Sequence, residues 1–206
     1  MTKRRIFTRL FAILSLMLMA LTSDVSARQA LDDTENLIVA HVDEGVENAI
    51  SFLERVVNIN SGSMNFDGVR EVGQVFDNEL TALGFETEWL DGAAFQRAGH
   101  LFARRGTTGP HFLLIGHLDT VFEPDSPFQR FERVDEETAR GPGVIDMKGG
   151  DVVIVEAVRA LHKAGLLDEM IVTVALIGDE ESSGDPLEVG RAPLVAAAQE
   201  ADIALA

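Results

Sequence analysis

The 206-residue chain contains no cysteine. Disulfides, thiolate metal ligands and cysteine nucleophiles are therefore excluded. Positive charge is scarce: 17 Lys and Arg stand against 34 Asp and Glu, a net charge of −17. A surface of that sign repels phosphate backbones and anionic membranes, so nucleic acid is not an expected partner. The chain also lacks a Gly-x-Ser-x-Gly elbow, which disfavours a serine hydrolase of the common α/β type. It has no internal repeat and no low-complexity linker. Its longest apolar run, Leu10 to Leu21, falls short of the roughly 20 residues a membrane-spanning helix needs.

That run has a different meaning in its context. Lys3, Arg4, Arg5 and Arg9 precede it, and the small residues of Val25-Ser26-Ala27 follow it. Basic, apolar and small-residue regions in that order form a secretory signal peptide. Residues 1–27 are thus expected to be removed, placing the protein in the periplasm or outside the cell, with no membrane attachment after cleavage. The remaining 28–206 keep 13 basic and 33 acidic residues, a net charge of −20. They suffice for one domain with a sizeable core.

Apolar spacing predicts a helix over 31–59, with Val46, Ile50, Phe52, Leu53, Val56 and Val57 facing inward. Asn60-Ser61-Gly62-Ser63 breaks it. A second helix is predicted over 68–83 on Val69, Val72, Val75, Phe76 and Leu80, with Gly84 at its C-terminal cap position. Strands are predicted over 85–90 and 111–115. A helix over 149–164 follows, carried by Val152, Val153, Val155, Val158 and Leu161. The run 170–177 is almost wholly apolar and β-branched, as in a strand covered on both faces. A last helix is expected over 191–200, then a core strand from Ile203. Helices alternating with buried strands indicate an α/β fold around a mostly parallel sheet. Because the chain stops inside that last strand, it is expected to be a fragment.

Three polar clusters lie just after predicted strands or at a helix start, where ligand sites of open α/β sheets gather. In Gly116-His117-Leu118-Asp119-Thr120, the two-residue spacing puts His117 and Asp119 on one side of an extended backbone. This pair suits a metal-binding histidine with an orienting carboxylate, and equally a loop histidine beside a capping aspartate. In Gly141-Pro142-Gly143-Val144-Ile145-Asp146-Met147-Lys148-Gly149-Gly150, Asp146 fits either a metal ligand or a helix cap. The stretch is no dinucleotide fingerprint and no phosphate loop. In Gly178-Asp179-Glu180-Glu181-Ser182-Ser183-Gly184, three consecutive carboxylates repel one another. They make either a solvated loop or a cation site. Nitrogen and oxygen donors without sulfur fit catalytic zinc, with cobalt or manganese as substitutes.

Taken together, these three motifs strongly resemble metallopeptidase family 20, in order and in spacing, from about residue 45 to the end. That family includes glutamate carboxypeptidase, acetylornithine deacetylase, succinyl-diaminopimelate desuccinylase and aminoacylase. The resemblance implies a three-layer α/β/α catalytic domain of the zinc-exopeptidase kind, truncated here, and two Zn2+ ions. It implies that His117 binds one ion, Asp146 bridges both and Glu181 binds the second. Glu180 is the implied general acid/base, and Asp119 the residue that orients His117. Two such ions roughly 3.5–4 Å apart can share and activate a water.

The implied substrate is a small peptide or an N-acyl amino acid, with release of a C-terminal residue such as glutamate or removal of an acyl group. For the full-length protein the resemblance implies two more metal ligands: an acidic residue soon after Ala206 and a distant histidine. It also implies a lid or dimerisation domain, and with it a homodimer. The 206 residues alone are expected to be inactive. The incomplete ligand set equally describes a non-catalytic metal- or peptide-binding relative. His41, His100, His111 and His162 are not expected to bind metal.

Overall fold

The computed structural model describes residues 30–206. The expected signal peptide over 1–27 therefore lies outside the described residues. Among the described residues, no helix is long and apolar enough to cross a membrane.

Helices α1 (Asp33–Val57) and α2 (Phe66–Ala82) come first. Strands β1 (Glu86–Asp91), β2 (Gly99–Arg105) and β3 (His111–His117) follow. A short hairpin, β4 (Glu132–Arg133) and β5 (Ala139–Arg140), precedes α3 (Lys148–Lys163). The chain then forms β6 (Ile171–Ile177), α4 (Leu187–Glu200) and β7 (Ile203–Leu205).

Five strands make one sheet in the order β1-β2-β6-β3-β7. β3 pairs in parallel with β6 and with β7, while β2 is antiparallel to both β1 and β6. Four of the five strands thus run the same way, so the sheet is mostly parallel, with β2 reversed. Strand β2 is absent from the sequence-based expectation. It begins Gly99-His100 and ends Arg104-Arg105, so its apolar core of Leu101, Phe102 and Ala103 is too short to show the strand period.

Alternation along the strands divides the core between the two faces. On one face Leu101, Ala103, Val172, Val174 and Leu176 pack with Phe52 and Val56 of α1, Val69, Val72, Phe76 and Leu80 of α2, and Val152, Val155 and Val158 of α3. On the other, Leu113, Ala175 and Ile177 meet Leu194 and Ala197 of α4. Residues 34–206 therefore build the expected three layers, α/β/α. Phe76 and Leu80 are fully buried, each contributing about 1.5–3 kcal/mol by transfer from water.

The inward faces differ from expectation at Val46 and Val153, which are 44% and 67% exposed. Val153 lies a further 100° around α3 from Val152, off the 152–155–158 stripe. Helix α4 starts four residues before the expected Arg191, so Pro193 falls inside it. Among the described residues, strand β7 lies at one edge of the sheet beside β3, with exposed side chains.

Candidate metal centre

Parallel pairing of β3 with β6 brings together two motifs about sixty residues apart. His117, the last residue of β3, is registered opposite Ile177, the last of β6. The loop Gly178-Asp179-Glu180-Glu181 therefore leaves the sheet beside His117. Leu118 N–H extends the ladder by donating to Ile177 O at 2.7 Å. The second motif, with Asp146, arrives on the turn before α3, which packs against β3.

His117 is almost wholly buried, and each ring nitrogen faces an oxygen. Nδ1 lies 3.0 Å from the backbone oxygen of Asp119, and Nε2 lies 2.9 Å from Asp146 Oδ1. Glu180 Oε2 is 4.0 Å from the same Nε2. One ligand atom each from His117, Glu180 and Glu181 fit within 4.8 Å of one another. A donor on the Nδ1 side leaves Nε2 with the lone pair that a metal needs. Asp146 does not cap α3: the cap position is Met147, with no side-chain bond there. Its carboxylate, 72% exposed, reaches His117 instead.

Asp119 is fully buried, and its carboxylate is committed elsewhere than to the imidazole. Oδ1 accepts the backbone N–H of Glu180 at 3.0 Å, and Oδ2 accepts that of Glu181 at 3.1 Å. Ser63 Oγ–H donates to Oδ2 at 2.6 Å, whereas His117 Nδ1 is 3.5 Å from Oδ1. The orienting contact to His117 thus runs chiefly through the main chain of Asp119, and its carboxylate sets the position of the Glu180–Glu181 loop. Burial alone would raise the Asp119 pKa, but the His117 ring beside it and the hydrogen bonds from Ser63 and Glu180 hold it below the ordinary value.

Ser63 was not legible as a site residue. The segment Asn60–Ser63 reads as a helix break, yet it straps the first motif. Thr120 N–H donates to Ser61 O at 2.8 Å, and Ser63 N–H to Thr120 O at 3.2 Å. Nothing in local sequence links positions 63 and 119.

The acidic loop is anchored from behind. Asp179, fully buried, accepts Gly184 N–H at 2.8 Å and pairs with Arg191 of α4. Next to it, His100 spans Gly178 N–H at 3.1 Å and Gly190 O at 3.0 Å. His111 bonds Thr173 and the backbone of Glu200. Both histidines thus serve the fold, while His41 meets Glu44 and His162 lies near Arg105. None of the four joins the cluster.

Beneath the site, Lys148 Nζ donates to Val56 O at 2.9 Å and Ile59 O at 2.7 Å, tying the end of α1 to the start of α3. Burial pushes the Lys148 ammonium down to about 7.

The electrostatics fit a cation. Burial would lower the His117 pKa, but the adjacent Asp119 and Asp146 carboxylates raise it to about 9. Glu181 is raised, by partial burial first and by Asp146 next. A proton on His117 offsets the crowded carboxylates in a metal-free chain, and a divalent ion would do so better. The nitrogen and oxygen donors match zinc chemistry.

Residues 113–205 match the family described as Peptidase family M20/M25/M40. Carboxypeptidase G2 of Pseudomonas sp. (strain RS-16) is 30% identical over 161 residues, covering 78% of this chain and 39% of that protein. The succinyl-diaminopimelate desuccinylase of Acidiphilium cryptum (strain JF-5) is 35% identical over 120 residues, 55% of this chain and 29% of that enzyme. The chain therefore spans about two fifths or less of the length of these two relatives.

Among solved structures, human carnosine dipeptidase 1 superposes with a TM-score of 0.68 at 19% identity, over 82% of this chain and 40% of that one. The di-peptidase Dug1p of Saccharomyces cerevisiae gives 0.66 at 17%, over 81% and 38%. These two likenesses bear on the fold. With the three motifs in order and the sheet that joins them, residues 113–205 are a segment of peptidase family M20/M25/M40.

Proposed function

We propose that the whole protein is an exported, two-zinc amidohydrolase that cleaves a peptide or N-acyl bond and releases a C-terminal amino acid such as glutamate. The observation that carries this reading is the convergence of Asp146, Glu180 and Glu181 on one buried imidazole. The likeness to carboxypeptidase G2 over 78% of the chain favours carboxypeptidase chemistry. The desuccinylase likeness gives an N-acyl amino acid deacylase as the second reading. Export rests on the charge and apolar pattern of residues 3–27.

His117, Asp146 and Glu181 would hold the metal, with further ligands from the rest of the protein. Zinc in this position supplies Lewis acidity and eases deprotonation of the attacking water. Glu180 carries a half-exposed carboxylate on a backbone fixed by Asp119. It takes the proton of that water and returns it to the nitrogen of the leaving amine. Its neighbour Glu181 lies deeper and remains a ligand, so two adjacent carboxylates divide two tasks. Asp119, ionised and buried, keeps both in register.

The test is hydrolysis of an acyl-glutamate and N-acetyl amino acid panel by the full-length mature protein, with zinc content measured in parallel. Chelator-sensitive cleavage with about two zinc ions per chain supports the reading, and the preferred substrate chooses between carboxypeptidase and deacylase. A folded protein with neither metal nor cleavage contradicts it.

A further inference from the structure

The turn between β1 and β2 grips the acidic loop at a second place. Ala93–Phe95 form a single 3-10 turn, and Gln96 follows in left-handed backbone at φ 59°, ψ 40°. Among the described residues, Gln96 is the one non-glycine with positive φ. Such a conformation is costly for a residue with a side chain, and it persists where the surrounding contacts hold it. Those contacts run to residues 182–185.

Arg97 makes most of them. Its Nε donates to Ser182 O at 2.7 Å, and its Nη2 donates to Ser182 Oγ at 3.0 Å and Ser183 O at 2.8 Å. Its Nη1 donates back to Gln96 O at 2.7 Å, which fixes the plane of the guanidinium. Gln96 Nε2 donates to Asp185 O at 2.9 Å, and Asp185 N–H donates to Phe95 O at 2.9 Å. Behind them the buried Phe95 ring stacks on His100, with centroids 4.9 Å apart.

Two grips therefore meet at Glu181. Asp119 holds the backbone N–H groups of Glu180 and Glu181. Arg97 holds the carbonyls of the next two residues. A charged fork on consecutive carbonyls fixes the rotation of the peptide between them as well as its position. Solvating those carbonyls with water would do neither. The same guanidinium also puts a positive charge on a loop that carries Asp179, Glu180 and Glu181 in a row.

We infer that Arg97 is a positioning residue of the metal centre, holding the main chain that aims the Glu181 and Glu180 carboxylates. The inference rests on the metal-dependent amidohydrolase reading, and adds to it a residue from a turn outside all three motifs.

The test uses the full-length protein with Arg97→Lys and Arg97→Ala. Lysine keeps the charge but has one donor atom, so it cannot span two carbonyls. Amide hydrogen exchange of segment 178–186 is followed by mass spectrometry in the zinc-free protein, with β6 as the internal reference. In both variants the segment is expected to exchange about tenfold faster or more while β6 is unchanged, the mark of a local opening. Zinc affinity, read by competition with a chromophoric chelator, is expected to fall about 10–100-fold. On the best substrate of the amide panel, kcat is expected to fall with KM little changed. Exchange that rises equally in β6 and the loop, or wild-type zinc affinity in both variants, overturns the inference and leaves Arg97 a contributor to stability alone. A wild-type protein that holds zinc but cleaves no amide overturns only the hydrolase reading, since exchange and zinc affinity still decide on Arg97. A folded wild-type protein without zinc or cleavage overturns both.

Discussion

The buried carboxylate of Asp119 accepts the backbone N–H of Glu180 at 3.0 Å, so a residue of the first motif sets the height of the acidic loop in the third. The same carboxylate accepts Glu181 N–H and the Ser63 hydroxyl. Asp119→Asn keeps the shape but turns one acceptor oxygen into a donor facing those groups. Zinc affinity and kcat/KM are expected to fall about 10–100-fold, the usual cost of disturbing the groups around metal ligands. Zinc titration and steady-state kinetics check this, and unchanged values would remove Asp119 from its positioning role. Ser63→Ala, which takes away one donor, is expected to have a smaller effect in the same direction.

Asp146→Ala removes the oxygen 2.9 Å from His117 Nε2. The full-length variant is expected to lose bound metal on dialysis while its circular dichroism is kept, since the side chain is largely exposed. Full metal content in this variant would rule out the bridging role.

His117 should titrate far above an ordinary histidine in the metal-free protein. With its pKa raised to about 9, the ring carries a proton at neutral pH that zinc must displace. Zinc affinity is therefore expected to rise with pH up to about 9, with proton release on binding. The imidazole resonances of His117 report this in a pH titration by NMR. An apparent pKa near 6.5 in the metal-free protein would contradict the contacts described.

Gly178 joins β6 to the acidic loop with no room for a side chain. A Cβ there would lie 2.2 Å from the backbone oxygen of Gly99. Gly178→Ala must therefore move β2 or the loop. A loss of about 1–3 kcal/mol, as for other overpacked sites, is expected in thermal or denaturant unfolding, together with weaker zinc binding.

Much of this architecture is legible in the residues. Helix α2, the C-terminal half of α1 and the apolar strand β6 declare themselves, because each buries an apolar stripe or both faces. Strand β2 does not, since its apolar stretch is three residues between glycine-histidine and two arginines. Pro193 hides the start of α4, and Val153 is apolar without being buried. In the site, His117, Asp146, Glu180 and Glu181 lie just after strands or before a helix, but their residue types alone fit a loop or a cap equally, and only the family resemblance singles them out as a site. The contributions of Ser63, His100 and Lys148 are not legible, because each acts through a contact made only by the tertiary fold. The sequence also suggests the Asp119 carboxylate as the partner of His117. In the structure the nearer contact is its main-chain oxygen, because the carboxylate is occupied by Ser63 and the loop.

The division of labour between adjacent glutamates is the centre of this account, and Glu180→Gln in the full-length protein tests it most directly. Zinc content and amide hydrolysis are measured on the same sample. Wild-type zinc content with turnover reduced about 10²–10⁴-fold, the range for losing a general base, is the predicted result. Wild-type turnover would contradict the role of Glu180 as base, and loss of zinc would make it a ligand instead.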